Sequence, residues 1–391
     1  MRDAKKNDST TKISREIFKI LIKSFPPREQ SKYLEDIVYI LIDALTRGKL
    51  YVSFDEKNPP SIQLDKEGWP DKHYQALLES DWVNIEDSPM KLVGNKLSWQ
   101  RWYCEMNNTT EDLIQRSKVK LIEDNDVLTQ TKSITIEGLN KKQESAVHSI
   151  FEHNVVLLSG GPGTGKTKTI IEMLVQILKI NPRARIGVAA PTGKATRRLQ
   201  EALQENPNFL KGNYRDKLLQ IKCRTLHSWL GARPGGFSRN KRRQINLDLL
   251  VIDEMSMVDL LLMKAILNAV PTTTKLILVG DRDQLPPVGS GAIWQELQEA
   301  NVRKQFGNGV IHLEEIYRNR GEIASLSKVI TEHGLETFWA TLRKKNKSSN
   351  VKTYYSSNNN LPPRVITCLV EHKETLLQLV RSLREEISYE I

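Results

Sequence analysis

The residues best suited to chemistry lie between Val155 and Thr167, which read VVLLSGGPGTGKT. Gly160, Gly161, Gly163 and Gly165, with Pro162 and Thr164 among them, make a loop of little side-chain bulk that ends in Lys166 and Thr167. The spacing G-x-x-x-x-G-K-[ST] allows backbone N–H groups to curl round phosphates. Lys166 then faces the β- and γ-phosphates, and the Thr167 hydroxyl is a ligand for Mg²⁺. Chance produces this spacing in roughly 1–2 % of chains of this length, so the flanking elements must decide it.

Two further stretches supply what nucleotide hydrolysis needs. Leu249 to Ser256, LLVIDEMS, is an apolar run ending in two carboxylates. Asp253 is the expected second Mg²⁺ ligand, and Glu254 is placed to orient and deprotonate the attacking water. Leu276 to Gly291, LILVGDRDQLPPVGSG, carries Gln284 just past another apolar run, where an amide can contact the γ-phosphate. Pro286 and Pro287 stiffen that loop, so a movement at Gln284 is passed on rather than absorbed. Upstream, in LNKKQESAV, Gln143 is a candidate for the adenine edge of ATP.

These residues require elements that bring them together. From residue 136 onward apolar runs alternate with helical patterns, the signature of a parallel α/β sheet. Strands are expected at 154–159, 186–190, 247–252, 275–280 and 309–313, with helices at 140–152, 166–180, 193–205, 259–269 and 291–300. The first part, residues 1–117, reads as a small, mostly helical domain with helices at 12–24, 33–46 and 71–80. A strand-like segment and a Trp-rich helix follow over 90–117. Its Trp82, Trp99 and Trp102 are either core or a surface for a partner. Residues 118–135 are polar and suit a linker, and the motor-like region is expected over 136–320. Beyond it, a helix over 322–333, a loop over 344–363 and an apolar-striped helix over 373–388 are expected.

The formal net charge is +11, and it is localised. Residues 182–243 carry 15 Lys or Arg against 3 Asp or Glu, so the remainder is close to neutral. A basic stretch inside a folded region points to a polyanion. AAPTGKATRRL, with Thr192, Lys194, Arg197 and Arg198, and TLHSWLGARPGGF, with Thr225, His227 and Trp229, offer hydroxyls, cations and an aromatic platform. That combination suits a track for single-stranded DNA. For Trp229 and His227 a packing role is equally open. Three distant cysteines with no C-x-x-C favour a reducing cytoplasm over a disulfide or zinc framework. No leader-like segment opens the chain, and no apolar run approaches membrane-spanning length.

In order, LNxxQ, GGPGTGKT, AAPTGKA, TLHxxLG, VIDEMSMVD, GDxxQLPPVGSG and LxxIYRN resemble the RecD-like branch of superfamily 1 DNA helicases. LVGNKLSWQRWYCEM is similar to the segment that precedes the motor in exodeoxyribonuclease V alpha subunits. The resemblance implies a RecA-like P-loop fold, ATP and Mg²⁺ as cofactors, and an arginine finger at Arg318. It also implies DNA contacts near Thr192, Thr225 and His227, 5′-to-3′ movement, and RecB- and RecC-type partners acting on duplex ends. The family's second RecA-like domain carries Q-G-S- and T-R-A-type motifs that nothing after Arg318 matches. Residues 321–391 are therefore expected to be only the start of that domain, as in a C-terminally truncated chain. The competing expectation is a nucleotide-binding assembly subunit that docks partners without acting as a motor.

Overall fold

The computed structural model describes residues 2–29, 31–55, 68–83, 85–119, 136, 138–205, 214–315, 317, 322–344 and 361–389. The chain divides into two units, Met1–Glu315 and Ile316–Ile391.

The first unit begins with the helices Arg2–Ser24 and Lys32–Thr46. Ser31 caps the second, its hydroxyl accepting from the Tyr33 N–H at 3.2 Å. Strand β1 (Tyr51–Ser53), the helix Asp71–Glu79 and the hairpin strands β2 (Met90–Val93) and β3 (Lys96–Trp99) follow. The three strands pair antiparallel in the order β1-β3-β2. Leu34, Ile37, Leu77 and Met90 pack round Trp82, whose indole N–H donates to the Phe25 carbonyl at 2.9 Å. Trp82 is therefore core. Trp99 is half-buried against the same cluster, whereas Trp102 packs on the next one.

That next cluster lies under the main sheet, formed by β4 (Val155–Gly160), β5 (Ile186–Ala190), β6 (Lys222–Thr225), β9 (Leu249–Ile252), β10 (Lys275–Gly280) and β11 (Val310–Leu313). A small antiparallel hairpin, β7 (Ala232–Arg233) with β8 (Gly236–Phe237), sits between β6 and β9 in the chain. The main sheet runs β11-β4-β10-β9-β5-β6, and every pairing is parallel. Strands β4, β5 and β9 are buried along their whole length, because apolar clusters cover both faces. The phosphate-loop strand β4 and the carboxylate strand β9 flank β10, so all three expected nucleotide-handling segments leave neighbouring strands at one end. The carboxyl ends of strands in an open parallel sheet are where such folds bind ligands.

The helix Gln100–Ser117 joins the N-terminal elements to this sheet. Leu113 and Ile114 enter its core. Arg116, only 3 % exposed, donates to the carbonyls of Leu267 and Pro271, both at 2.7 Å, and so closes the C-terminal end of the helix Leu260–Ala269. A cation among those orphan carbonyls offsets the helix dipole as well as satisfying them. Asp112 holds the other side of the guanidinium at 2.9 Å.

The expected strands appear within one or two residues, with three departures. An edge strand, β6, and the short helices Arg215–Leu219 and Leu226–Leu230 occupy a stretch where no element was expected. Its residues, KCRT, lack an apolar run because an edge strand is covered less completely. The single helix expected over 291–300 is two turns, Ile293–Glu296 and Ala300–Arg303. In the second unit, the helix from Glu322 continues to Lys344 with a break at Gly334, and the last helix starts at Pro363, which suits a first helical position. Nearly all of the expected 118–135 linker and most of the 344–363 loop lie outside the described residues. Among the described residues no helix is long and apolar enough to cross a membrane.

Candidate nucleotide site and basic track

Strand β4 delivers the glycine loop and the helix Lys166–Ile180 receives it. Gly163 and Gly165 have φ near 82° and 83°, a left-handed region that side chains rarely adopt. Within the loop, the Thr164 hydroxyl donates to the Gly161 carbonyl at 2.9 Å. The Lys166 ammonium folds back across the mouth of the loop onto the carbonyls of Gly160 and Gly161, the latter at 2.9 Å. Gly161 to Thr167 thus form a nest at a helix N-terminus, ready to receive a polyphosphate.

Gln143 stands beside this loop with both ends of its amide engaged. Its Oε1 accepts from the Asn140 N–H at 3.1 Å, while Asn140 Oδ1 accepts from the Gln143 N–H at 2.8 Å, a reciprocal cap on the helix Lys141–Glu152. Its Nε2 donates to the Thr164 carbonyl at 3.2 Å. Gln143 therefore braces the phosphate loop from outside.

Strand β9 ends at Ile252, and the Asp253 N–H still donates to Ala189 on β5 at 2.9 Å. Asp253 Oδ1 then accepts the Glu254 N–H at 2.8 Å. This folds Glu254 into a left-handed conformation, φ 56° and ψ 42°, a strained state for a non-glycine residue. Desolvation is the main cause that pushes the Asp253 carboxyl up to about 6; the Glu254 charge adds to it, while the Glu254 N–H and Lys166 oppose it. A desolvated carboxylate with an uncommitted oxygen, within reach of the Lys166 charge, joins the Thr167 hydroxyl in the first turn of the helix Lys166–Ile180 as a hard-oxygen donor set. It fits Mg²⁺, which keeps several waters and takes few protein ligands.

Between them, β10 leads into the Gln284 loop. The Ser256 hydroxyl donates to Gln284 Oε1 at 2.8 Å, so the carbonyl end of that amide is engaged and its NH₂ end is left to donate. Ser256 is buried, and nothing in its sequence context marks it for this contact. Beneath the loop base, Ser159 Oγ and His312 Nδ1 lie 2.9 Å apart and join β4 to β11.

The basic track leaves the adjoining strands. Ala190 of β5 is paired with Thr225 of β6, so the two expected DNA-facing turns are neighbours. Thr192 caps the helix Gly193–Glu205, accepting from the Ala195 N–H at 3.3 Å, and Lys194, Arg197 and Arg198 project from that helix into solvent. Thr225 caps the next turn, accepting from Ser228 at 3.2 Å, and the exposed His227 ring leans on Phe237. Trp229 belongs to the packing: its N–H donates to Val188 at 3.0 Å and its ring lies against Gly187. Arg233, Lys241, Arg242 and Arg243 extend the exposed charge across the hairpin and the turn after it. Arg318 lies outside the described residues.

Against known proteins, a family profile described as an AAA domain matches residues 143–290, a span holding all of these site residues but Arg318. The RecBCD enzyme subunit RecD of Mycolicibacterium smegmatis is 31 % identical over 311 residues, covering 77 % of this chain and 54 % of that protein. The ATP-dependent RecD2 DNA helicase of Deinococcus radiodurans is 35 % identical over 199 residues, 51 % of this chain and 24 % of that one. The chain is RecD-like. It spans about half the length of the RecD relatives it matches. A solved structure of Pif1 helicases on forked duplex DNA is 21 % identical, with a TM-score of 0.36 over 55 % of this chain and 52 % of that one. The RecA-like P-loop α/β fold of the RecD-like chain rests on its own strand order.

Proposed function

We propose that this chain is the ATP-dependent DNA helicase subunit of a RecBCD-type helicase–nuclease. The observation that carries this is the delivery of the phosphate loop, Asp253–Glu254 and Gln284 from three adjacent strand ends, with the basic track on the next two. Lys166 and the loop amides bind and orient the polyphosphate. Thr167 and Asp253 would hold Mg²⁺, which would supply positive charge against the phosphates. Glu254 takes the proton of the attacking water, and the Gln284 amide NH₂ meets the γ-phosphate. Gln143 keeps the phosphate loop in place through Thr164, and Arg318 supplies a transition-state cation. Thr192, Lys194, Arg197, Arg198, Thr225 and His227 follow the backbone of single-stranded DNA.

In this reading residues 1–117 dock RecB- and RecC-type subunits, 136–320 form the first motor domain, and 321–391 belong to a second. Translocation is 5′-to-3′, at duplex ends, in the cytoplasm. The test is ATP turnover by the chain with and without single-stranded DNA, with Lys166→Ala as the background. Stimulation of several-fold supports the motor. ATP binding with no stimulation supports the non-motor docking subunit instead.

A further inference from the structure

The Gln284 loop is tethered at both ends, and its far tether belongs to the N-terminal region. At the near end Gln284 is held by Ser256, two residues after Glu254. Asp281, 3 % exposed, turns the chain there by accepting from the Asp283 N–H at 3.0 Å. At the far end the Gly291 N–H donates to the Gly48 carbonyl at 3.1 Å, and the Leu260 N–H donates to the Gly291 carbonyl at 2.9 Å. Leu50 packs beside Gly291, and Gly289 lies so close to the Asp259 carboxylate that any side chain there would collide with it. Gly48 meets the backbone of the loop itself. A Cβ built on it would stand 3.0 Å from the Pro287 carbonyl oxygen and 3.1 Å from that of Gly289, and its φ is 79°. Between the tethers Leu285 and Val288 are 86 % and 103 % exposed, whereas Pro287 between them is buried on the Gly48 side. Two prolines stiffen the loop.

We infer that the loop from Asp281 to Gly291 is a relay through which γ-phosphate contact at Gln284 is passed to the turn at Gly48, and so to the helix Lys32–Thr46 of the N-terminal region. Ser256 is its positioning residue. Its hydroxyl engages Gln284 Oε1, directs the amide NH₂ at the nucleotide, and ties the amide to the segment that carries Glu254. The relay rests on Gln284 as the γ-phosphate group of the proposed ATP site. By reciprocity, whatever moves Gly48 alters the preference for ATP over ADP.

The test uses the full chain and two glycine variants. Gly94, in the β2–β3 turn, also has positive φ, at 60°, but nothing lies within 4 Å of a Cβ placed on it. Gly48→Ala and Gly94→Ala therefore share the backbone cost, and only the first touches the loop. Fluorescent ADP and a non-hydrolysable fluorescent ATP analogue are titrated against each. Gly48→Ala is expected to lower the preference for the ATP analogue about fivefold or more while Gly94→Ala leaves it unchanged. Ser256→Ala is expected to lower it likewise, with ADP affinity unaltered. Amide exchange in the parent protein gives the second readout: residues 47–50 should change protection with the ATP analogue and not with ADP. That readout decides the matter even should Gly48→Ala fail to fold. Nucleotide binding with no change at 47–50, or equal effects of the two glycine variants, overturns the relay alone. Failure to bind either nucleotide overturns the ATP site and the relay together.

Discussion

The two ends of the active face differ in kind. At β4, β10 and β9 the functional groups are interlocked: Gln143 on Thr164, Lys166 on the loop carbonyls, Asp253 on Glu254, and Ser256 on Gln284. At β5 and β6 the expected DNA-facing cations stand separately in solvent. A triphosphate is small, rigid and highly charged, so recognising it requires fixed donors and a prearranged site. A nucleic-acid backbone is long and repetitive, so a row of mobile cations suffices, and its affinity is distributed and salt-sensitive. Single substitutions should therefore act sharply at the first end and gradually at the second.

Glu254→Gln gives the largest expected effect. It should lower ATP hydrolysis about 10²–10⁴-fold in a steady-state assay while Mg·ATP still binds, because only proton acceptance is lost. Parental turnover would remove Glu254 from its role. Lys166→Ala should weaken a fluorescent ATP analogue roughly 100-fold, the loss of one desolvated cation from an anion site. Unaltered affinity would break the interlocked picture at its centre. At the other end, charge reversal of Arg197 and Arg198 should cost about tenfold in single-stranded DNA affinity for every sequence alike. The log–log salt dependence should become shallower by about 2, one phosphate contact for each arginine. A loss confined to one sequence would mean base readout instead.

The smallest effect, on stability, sharpens the comparison most. Burial raises the Asp253 carboxyl to about 6, so above that pH the apo protein carries an ionised group it disfavours. Asp253→Asn should therefore stabilise the apo chain at pH 7 by about 1–2 kcal/mol after allowance for screening at its exposed edge. The gain should shrink as pH falls through 6 and vanish below about 4, where the unfolded carboxyl is also protonated. Thermal melts from pH 4 to 8 measure this. The same variant should lose the stabilisation that Mg·ATP gives the parent.

Legibility in the sequence followed this division. Buried strands such as β4 and β9 are continuous apolar runs, and the groups they launch follow at fixed offsets, so Lys166, Asp253, Glu254 and Gln284 could all be placed. Strand β6 could not, because KCRT at a sheet edge has no apolar signature. The Gln143 brace, the Ser256 contact and the Gly48 tether were equally hidden. Each joins residues 21, 28 or more than 200 positions apart, and periodicity reports only on near neighbours. Trp229 was ambiguous for a related reason: an aromatic ring in a basic stretch suits a stack or a core until its neighbours are known.

Arg116 has a consequence for how the molecule is made. The carbonyl it satisfies at Leu267 lies 151 residues later in the chain. A ribosome therefore releases the plug long before the socket exists, and the helix Gln100–Ser117 waits, with Leu113, Ile114 and Arg116 unseated, while most of the main sheet is synthesised. At a translation rate of about 5–20 residues per second that interval lasts on the order of 10–30 s. During it the nascent chain presents the Leu113, Ile114 and Arg116 face of that helix without its later partner, so this face is seated only once Leu260–Ala269 has been made.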